Sequence, residues 1–131
     1  MKIIRREIPA HIVYEDDETI AFLDVNPVNP GHTLVVPKKF ARNVFDIDDE
    51  TLAAVMRTVQ KVAATLRSAL GAEGVNVVMN NEPAAGQLVF HFHAHVIPRF
   101  VDDGLRHWPG KPYATDSDAA AIAEKMRTQL G

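Results

Sequence analysis

The run Leu88-Val89-Phe90-His91-Phe92-His93-Ala94-His95-Val96-Ile97 constrains the fold of this chain more than any other feature. A β-strand sends successive side chains to opposite faces. Read as one strand, the run sorts cleanly. Leu88, Phe90, Phe92, Ala94 and Val96 share an apolar face suited to a core, and Val89, His91, His93, His95 and Ile97 share the other. Three of the chain's six histidines fall within these few positions. A core has no need of such a row, so the row points to chemistry.

Imidazole is the commonest metal ligand, but the spacing does not suit one ion held by all three rings. On a straight strand His91 and His95 lie roughly 13 Å apart, whereas zinc takes each nitrogen at about 2.0–2.1 Å. A pair such as His91 and His93 would need further ligands. The chain has no cysteine and no His-Glu-x-x-His helix to supply them. No metal is therefore expected. An extended anion, above all a phosphate chain, fits the row better. Each imidazole can donate to a phosphoryl oxygen, one neutral ring can attack phosphorus, and a protonated neighbour can stabilise the developing charge. A row of partly exposed histidines without a role is the alternative.

The remaining sequence gives the frame. Residues 12–14 and 19–23 read as two strands joined by the acidic turn Glu15-Asp16-Asp17-Glu18, a hairpin. Pro27, Pro30 and Gly31 make a loop, and residues 33–36 form a third strand ended by Pro37. Leu52, Val55, Met56, Val59, Val62, Ala63, Leu66 and Leu70 recur at helical spacing, predicting one long amphipathic helix. Asp48 is its N-cap, and Gly71 suits its end. Residues 75–79 read as a fourth strand, the histidine run as a fifth, and residues 117–130 as a second helix. The expected fold is α+β, with about five strands covered by one long helix. At 131 residues the chain is expected to be a single domain, 1–131. The net charge of −3 argues against broad adhesion to nucleic acid or to an anionic membrane. The absence of cysteine excludes disulfides and fits a cytoplasmic protein. The opening residues 1–7 lack the apolar stretch of a signal peptide.

His91-Phe92-His93-Ala94-His95-Val96-Ile97 resembles the signature of the histidine-triad (HIT) family, His-φ-His-φ-His-φ-φ with φ apolar. Gly86-Gln87 before it and Pro98-Arg99 after it resemble the family flanks. Asp24-Val25-Asn26-Pro27 and Pro30-Gly31-His32-Thr33-Leu34-Val35-Val36-Pro37-Lys38-Lys39 resemble its upstream blocks. The similarity runs in order from about residue 2 to Trp108, and is closest to the bacterial, Hint-like nucleotide hydrolases. The resemblance implies a HIT-like antiparallel sheet, commonly paired into a homodimer. It also implies attack by His93 on the α-phosphorus of a nucleotide, a covalent nucleotidyl-histidine, and release of a nucleoside monophosphate by water. His95 would polarise the phosphoryl oxygens, His91 would hold the site's hydrogen-bond network, and His32 would support the triad from a neighbouring strand. Asp24 matches the carboxylate that contacts ribose. Asn81 and Gln87 match groups at the phosphate or leaving group, and Phe22, Val25 and Ile3 match positions lining the base pocket. No cofactor is implied. A purine nucleoside phosphoramidate is the expected type of substrate. Dinucleoside polyphosphate hydrolysis and a nucleotide-binding module with little turnover are the alternatives.

Three departures stand out. Leu88 occupies the position directly after the glutamine, where many relatives carry a serine or threonine hydroxyl. The chain begins late relative to relatives with further base-pocket residues. The N-terminal cysteine pair through which some bacterial relatives hold zinc is absent, and Phe40 stands about where their later histidine would be. Trp108, in a Trp-Pro-Gly segment, resembles residues that reach toward the dimer partner.

Overall fold

A computed structural model describes Ile3 and residues 9–131; the rest of the opening segment lies outside the described residues. Five strands form one antiparallel sheet: β1 (Ile12–Glu15), β2 (Thr19–Leu23), β3 (Thr33–Pro37), β4 (Gly74–Val78) and β5 (Ala94–Arg99), in the order β1-β2-β3-β5-β4. Helix α1 (Asp49–Leu70) packs on one face, and α2 (Asp116–Leu130) follows the sheet. The expected α+β architecture is present. Among the described residues no helix is long and apolar enough to cross a membrane.

Local chemistry accounts for the elements. The β1–β2 turn is an Asx turn, in which one carboxylate oxygen of Asp16 accepts from the backbone N–H groups of Glu18 and Thr19 at 2.8 and 2.7 Å. Asp48 caps α1 by accepting from Thr51 N–H at 2.8 Å. Gly71 ends the helix in the left-handed conformation, with φ 69°. The apolar stripe of α1, chiefly Val55, Val59, Val62 and Leu66, meets Ala21, Val35, Ala94 and Val96 from the sheet. The opposite sheet face carries a smaller cluster of Ile20, Phe22 and Val36, with Ile3, Ala10 and Leu34 against it. The start of β3 runs so close to the end of α1 that a Cβ on Gly31 would lie 2.5 Å from Leu70 Cδ1.

The histidine run departs from the expected single strand. Only its second half is a strand: Ala94, Val96 and Pro98 are buried and alternate with His95, Ile97 and Arg99. Residues 88–93 are irregular, and Leu88 and Phe90, expected in the core, are 88% and 41% exposed. Of the apolar residues in that half, Phe92 alone is buried. Pairing between β3 and β5 stops at Val35 and Ala94. Beyond it the backbone bonds to an irregular segment instead, Phe92 N–H to the Ala41 carbonyl at 2.7 Å. A buried ladder partner is what strand alternation requires, and here that partner ends too soon.

Candidate active site

His95 lies on β5 opposite Leu34, and His32 immediately precedes β3, so adjacent strands bring these two rings together. His32 Nε2 and His95 Nδ1 are 2.9 Å apart. Which nitrogen carries the proton follows from the outer partner. The backbone N–H of Val28 donates to His32 Nδ1 at 3.0 Å. A neutral His32 must then hold its proton on Nε2 and donate it to His95 Nδ1. His95 in turn keeps its proton on Nε2, as a donor for a ligand. Asp24 Oδ2 lies 3.6 Å from His32 Nε2. The loop between Asp24 and His32 is closed on itself, with Asp24 N–H donating to the His32 carbonyl at 2.9 Å.

His93 stands at the entry to β5, its ring centroid 5.0 Å from that of His95. Its Nδ1 lies 2.8 Å from the His91 carbonyl oxygen. A carbonyl only accepts, so His93 Nδ1 bears the proton and Nε2 carries the lone pair. His91 is turned away from the other two. It is buried, its Nε2–H donates to the Pro37 carbonyl at 2.8 Å, and its ring packs edge-on against Phe40. The rings of His93 and His95 therefore lie together while that of His91 is turned away, and His91 joins them through its main-chain oxygen.

Burial pushes the His95 pKa down from 6.5 to about 4; the nearby His93 and His32 push the same way and Asp24 opposes them. Burial also lowers His32, against Asp24, and His91, against its bond to Pro37. The protonated neighbour expected from the sequence is thus not His95, which is neutral at pH 7. This has a consequence for stability. The folded state resists protonation of His95 that the unfolded chain accepts, so the unfolded state binds more protons between about pH 6.5 and about 4. Stability is expected to be full above that window and to fall as the pH drops through it. Denaturant midpoints at pH 7.5, 5.5 and 4.5 check this, and His95→Gln should flatten the slope between the first two.

The expected base-pocket residues converge. Ile3, Phe22 and Val25 line one cavity of about 190 Å³ together with Leu34, Val89, Asp24 and His93. Phe22 is buried in its wall, whereas Val25 is an exposed lip. The loop residues are placed differently from expectation. Asn81 accepts from Val44 N–H at 2.8 Å, tying its loop to the segment before α1. Gln87 is buried, with every hydrogen-bonding position of its amide engaged. Nε2 donates to the carbonyls of Arg42 and Val89, and Oε1 accepts from Glu82 N–H and Asn43 Nδ2. Its amide holds the loop instead of reaching outward. Arg42, Asn43 and Glu82 are the site-building residues that the sequence reading passed over; a lone asparagine before a helix carried no signal.

Asp24, His32 and His95 each place one ligand atom within 4.8 Å of the others. The donor set suits a shared proton better than a metal ion. Coordination through His32 Nε2 would move its proton to Nδ1, where Val28 N–H already points.

The HIT domain family profile matches residues 5–102 of the chain. An uncharacterized HIT-like protein of Methanocaldococcus jannaschii is 50% identical over 103 residues, 79% of either chain. Adenylylsulfatase HINT3 of Arabidopsis thaliana is 39% identical over 134 aligned positions, 98% of this chain and 67% of that protein. The crystal structure of the Streptococcus mutans protein SMU.412c superposes with a TM-score of 0.93 at 35% identity, covering 99% of this chain and 83% of that one. Profile, relatives and fold agree: the chain belongs to the HIT domain family.

Proposed function

We propose that this chain is a nucleotide-binding hydrolase acting at the α-phosphate, with His93 as nucleophile and a purine nucleoside phosphoramidate as the type of substrate. The observation that carries the reading is the fixed tautomer of His93. Its proton is committed to the His91 carbonyl, which leaves an Nε2 lone pair beside a largely apolar cavity. In the first step Nε2 attacks the α-phosphorus and the bond to the leaving group breaks, with solvent protonating that group. The nucleotidyl-histidine so formed is cationic, and Nδ1–H stays bonded to the His91 oxygen, which stabilises that charge. Water then attacks phosphorus and gives up a proton to solvent, the P–N bond breaks, and the nucleoside monophosphate leaves with the His93 lone pair restored. Splitting the displacement in two is the general benefit of a covalent intermediate. His95 Nε2–H acts as a fixed hydrogen-bond donor to the phosphoryl oxygens in both steps. It is no proton shuttle, because its own relay ends on the Val28 amide, which cannot release a proton. Asp24, which lines the cavity, is assigned to the ribose hydroxyls in this reading. The adenylylsulfatase among the relatives supports chemistry at an adenylyl phosphorus.

The test is steady-state hydrolysis of an adenosine phosphoramidate beside diadenosine tetraphosphate, with rapid acid quench to trap the adenylylated protein. Preference for the phosphoramidate and a trapped adduct support the reading. Preference for the tetraphosphate moves the chain to dinucleoside polyphosphate hydrolysis, and tight nucleotide binding without turnover makes it a binding module.

A homodimer belongs to the same reading. Strand β4 is an edge of the sheet. Helix α2 exposes Ile122, Met126 and Leu130 along one stripe and packs on no other element among the described residues. An isolated helix of 15 residues is marginal in water, so a second copy is the natural partner. Light scattering is expected to give twice the 14.5 kDa chain mass; a monomeric mass at micromolar concentration would rule this out.

A further inference from the structure

Among the described residues Glu82 is the non-glycine residue with positive φ, at φ 75° and ψ 158°. That region is almost reserved for glycine, and a residue held there must be over-determined by its surroundings. The determinants are visible. Arg42 grips the Glu82 carboxylate as a fork, with Nε at 2.8 Å and Nη2 at 2.9 Å. Asn43 donates to the same carboxylate, and Glu82 N–H donates to Gln87 Oε1 at 2.8 Å.

The same short strap reaches the rest of the loop. The Arg42 guanidinium lies 4.4 Å over the Phe90 ring, the Arg42 carbonyl accepts from Gln87, and the Ala41 carbonyl accepts from Phe92 N–H. Residues 88–93 belong to no strand, so these contacts take the place of a ladder. The His91 carbonyl lies between the two anchored residues Phe90 and Phe92, and it holds His93 Nδ1.

We propose that Arg42 and Glu82 form a latch that positions His93, by holding the loop in the path that presents the His91 carbonyl to His93 Nδ1. The inference rests on His93 being the nucleophile. The pair is roughly half exposed, at 46% and 40%, and an ion pair so exposed contributes little to global stability. Its effect is on geometry. Releasing the latch frees His93 to rotate and to exchange tautomers, while the cavity wall of Ile3, Phe22 and Leu34 is left in place.

Arg42→Ala and Glu82→Gly test this in the full chain. Glu82→Gly relieves the strained backbone, so it removes the latch without penalising the fold. Both variants are expected to keep their secondary structure and a KM for adenosine phosphoramidate within about twofold of wild type. Both should lose kcat by roughly 10- to 100-fold, the scale of a small misplacement of a reacting group. The imidazole 15N spectrum of His93 should change from one tautomer to an average of two. Arg42→Lys keeps the charge but not the fork, and is expected to stay impaired. An unchanged kcat and His93 spectrum in either folded variant would overturn the latch. A raised KM with kcat intact would overturn it too, by making Arg42 a substrate contact, and so would unfolding of both variants. If the wild-type protein itself turns over no nucleotide, the nucleophile reading fails, and the His93 spectrum still decides whether the latch exists.

Discussion

Replacing His93 with alanine is expected to slow hydrolysis of an adenosine phosphoramidate by roughly 10⁴-fold or more, the scale seen when a covalent nucleophile is removed. The loss should fall on kcat. His93 contributes one ring to a cavity otherwise walled by Ile3, Phe22, Leu34 and Val89. Its Nε2 has no proton to donate to a phosphoryl oxygen, so deleting the ring removes packing and no hydrogen bond, and affinity for adenosine monophosphate should weaken by no more than about tenfold. The adenylylated protein should disappear from acid-quenched mixtures. A variant retaining activity within tenfold of wild type would place bond formation elsewhere, and His95 would be the next residue to examine, since its ring is the nearest neighbour.

Phe92→Ala is expected to have the largest effect on stability. Phe92 is 1% exposed and packs in the main core with α1. Truncating a buried phenylalanine costs about 3–5 kcal/mol, from lost transfer energy and from the cavity left behind. Against a total of about 5–15 kcal/mol that is a substantial fraction. Because Phe92 sits between His91 and His93, its ring is also the anchor that pins the irregular loop to the core. Urea denaturation of wild type and variant measures the difference. A loss below about 1 kcal/mol would mean that the core closes over the gap and that the loop is held by its polar contacts alone.

Periodicity made most of the frame legible. The stripe on α1, the hairpin with its Asp16 turn and the alternation of β5 from Ala94 onward are local patterns, and each appears where the residues place it. The resemblance to the family, rather than any local pattern, is what marks His32 and the triad as neighbours. What the residues concealed was non-local. Leu88 and Phe90 fit a strand as well as Phe92 does, but whether they are buried depends on a partner strand that β3 does not supply. Gln87 reads as a polar group before a site. Its amide is instead taken up by Arg42, Asn43 and Glu82, and Asn43 lies 44 residues away in sequence. His91 reads as an equal member of a row and becomes an internal donor to Pro37 because the chain bends before β5. The detachment of α2 from its own sheet has no sequence signature at all.

The amide of Val28 gives the site a built-in polarity. Every other member of the relay is a side chain that could change its proton count, but the first donor is main chain. The string from Val28 through His32 to His95 therefore conducts hydrogen-bond orientation in one sense, like a rectifier. On the proposed function, phosphate charge arriving at His95 is met by the same proton-bearing nitrogen on each turnover. Nothing needs to be reset between cycles, and substitutions of the side chain at position 28 leave that sense untouched as long as the residue keeps its N–H.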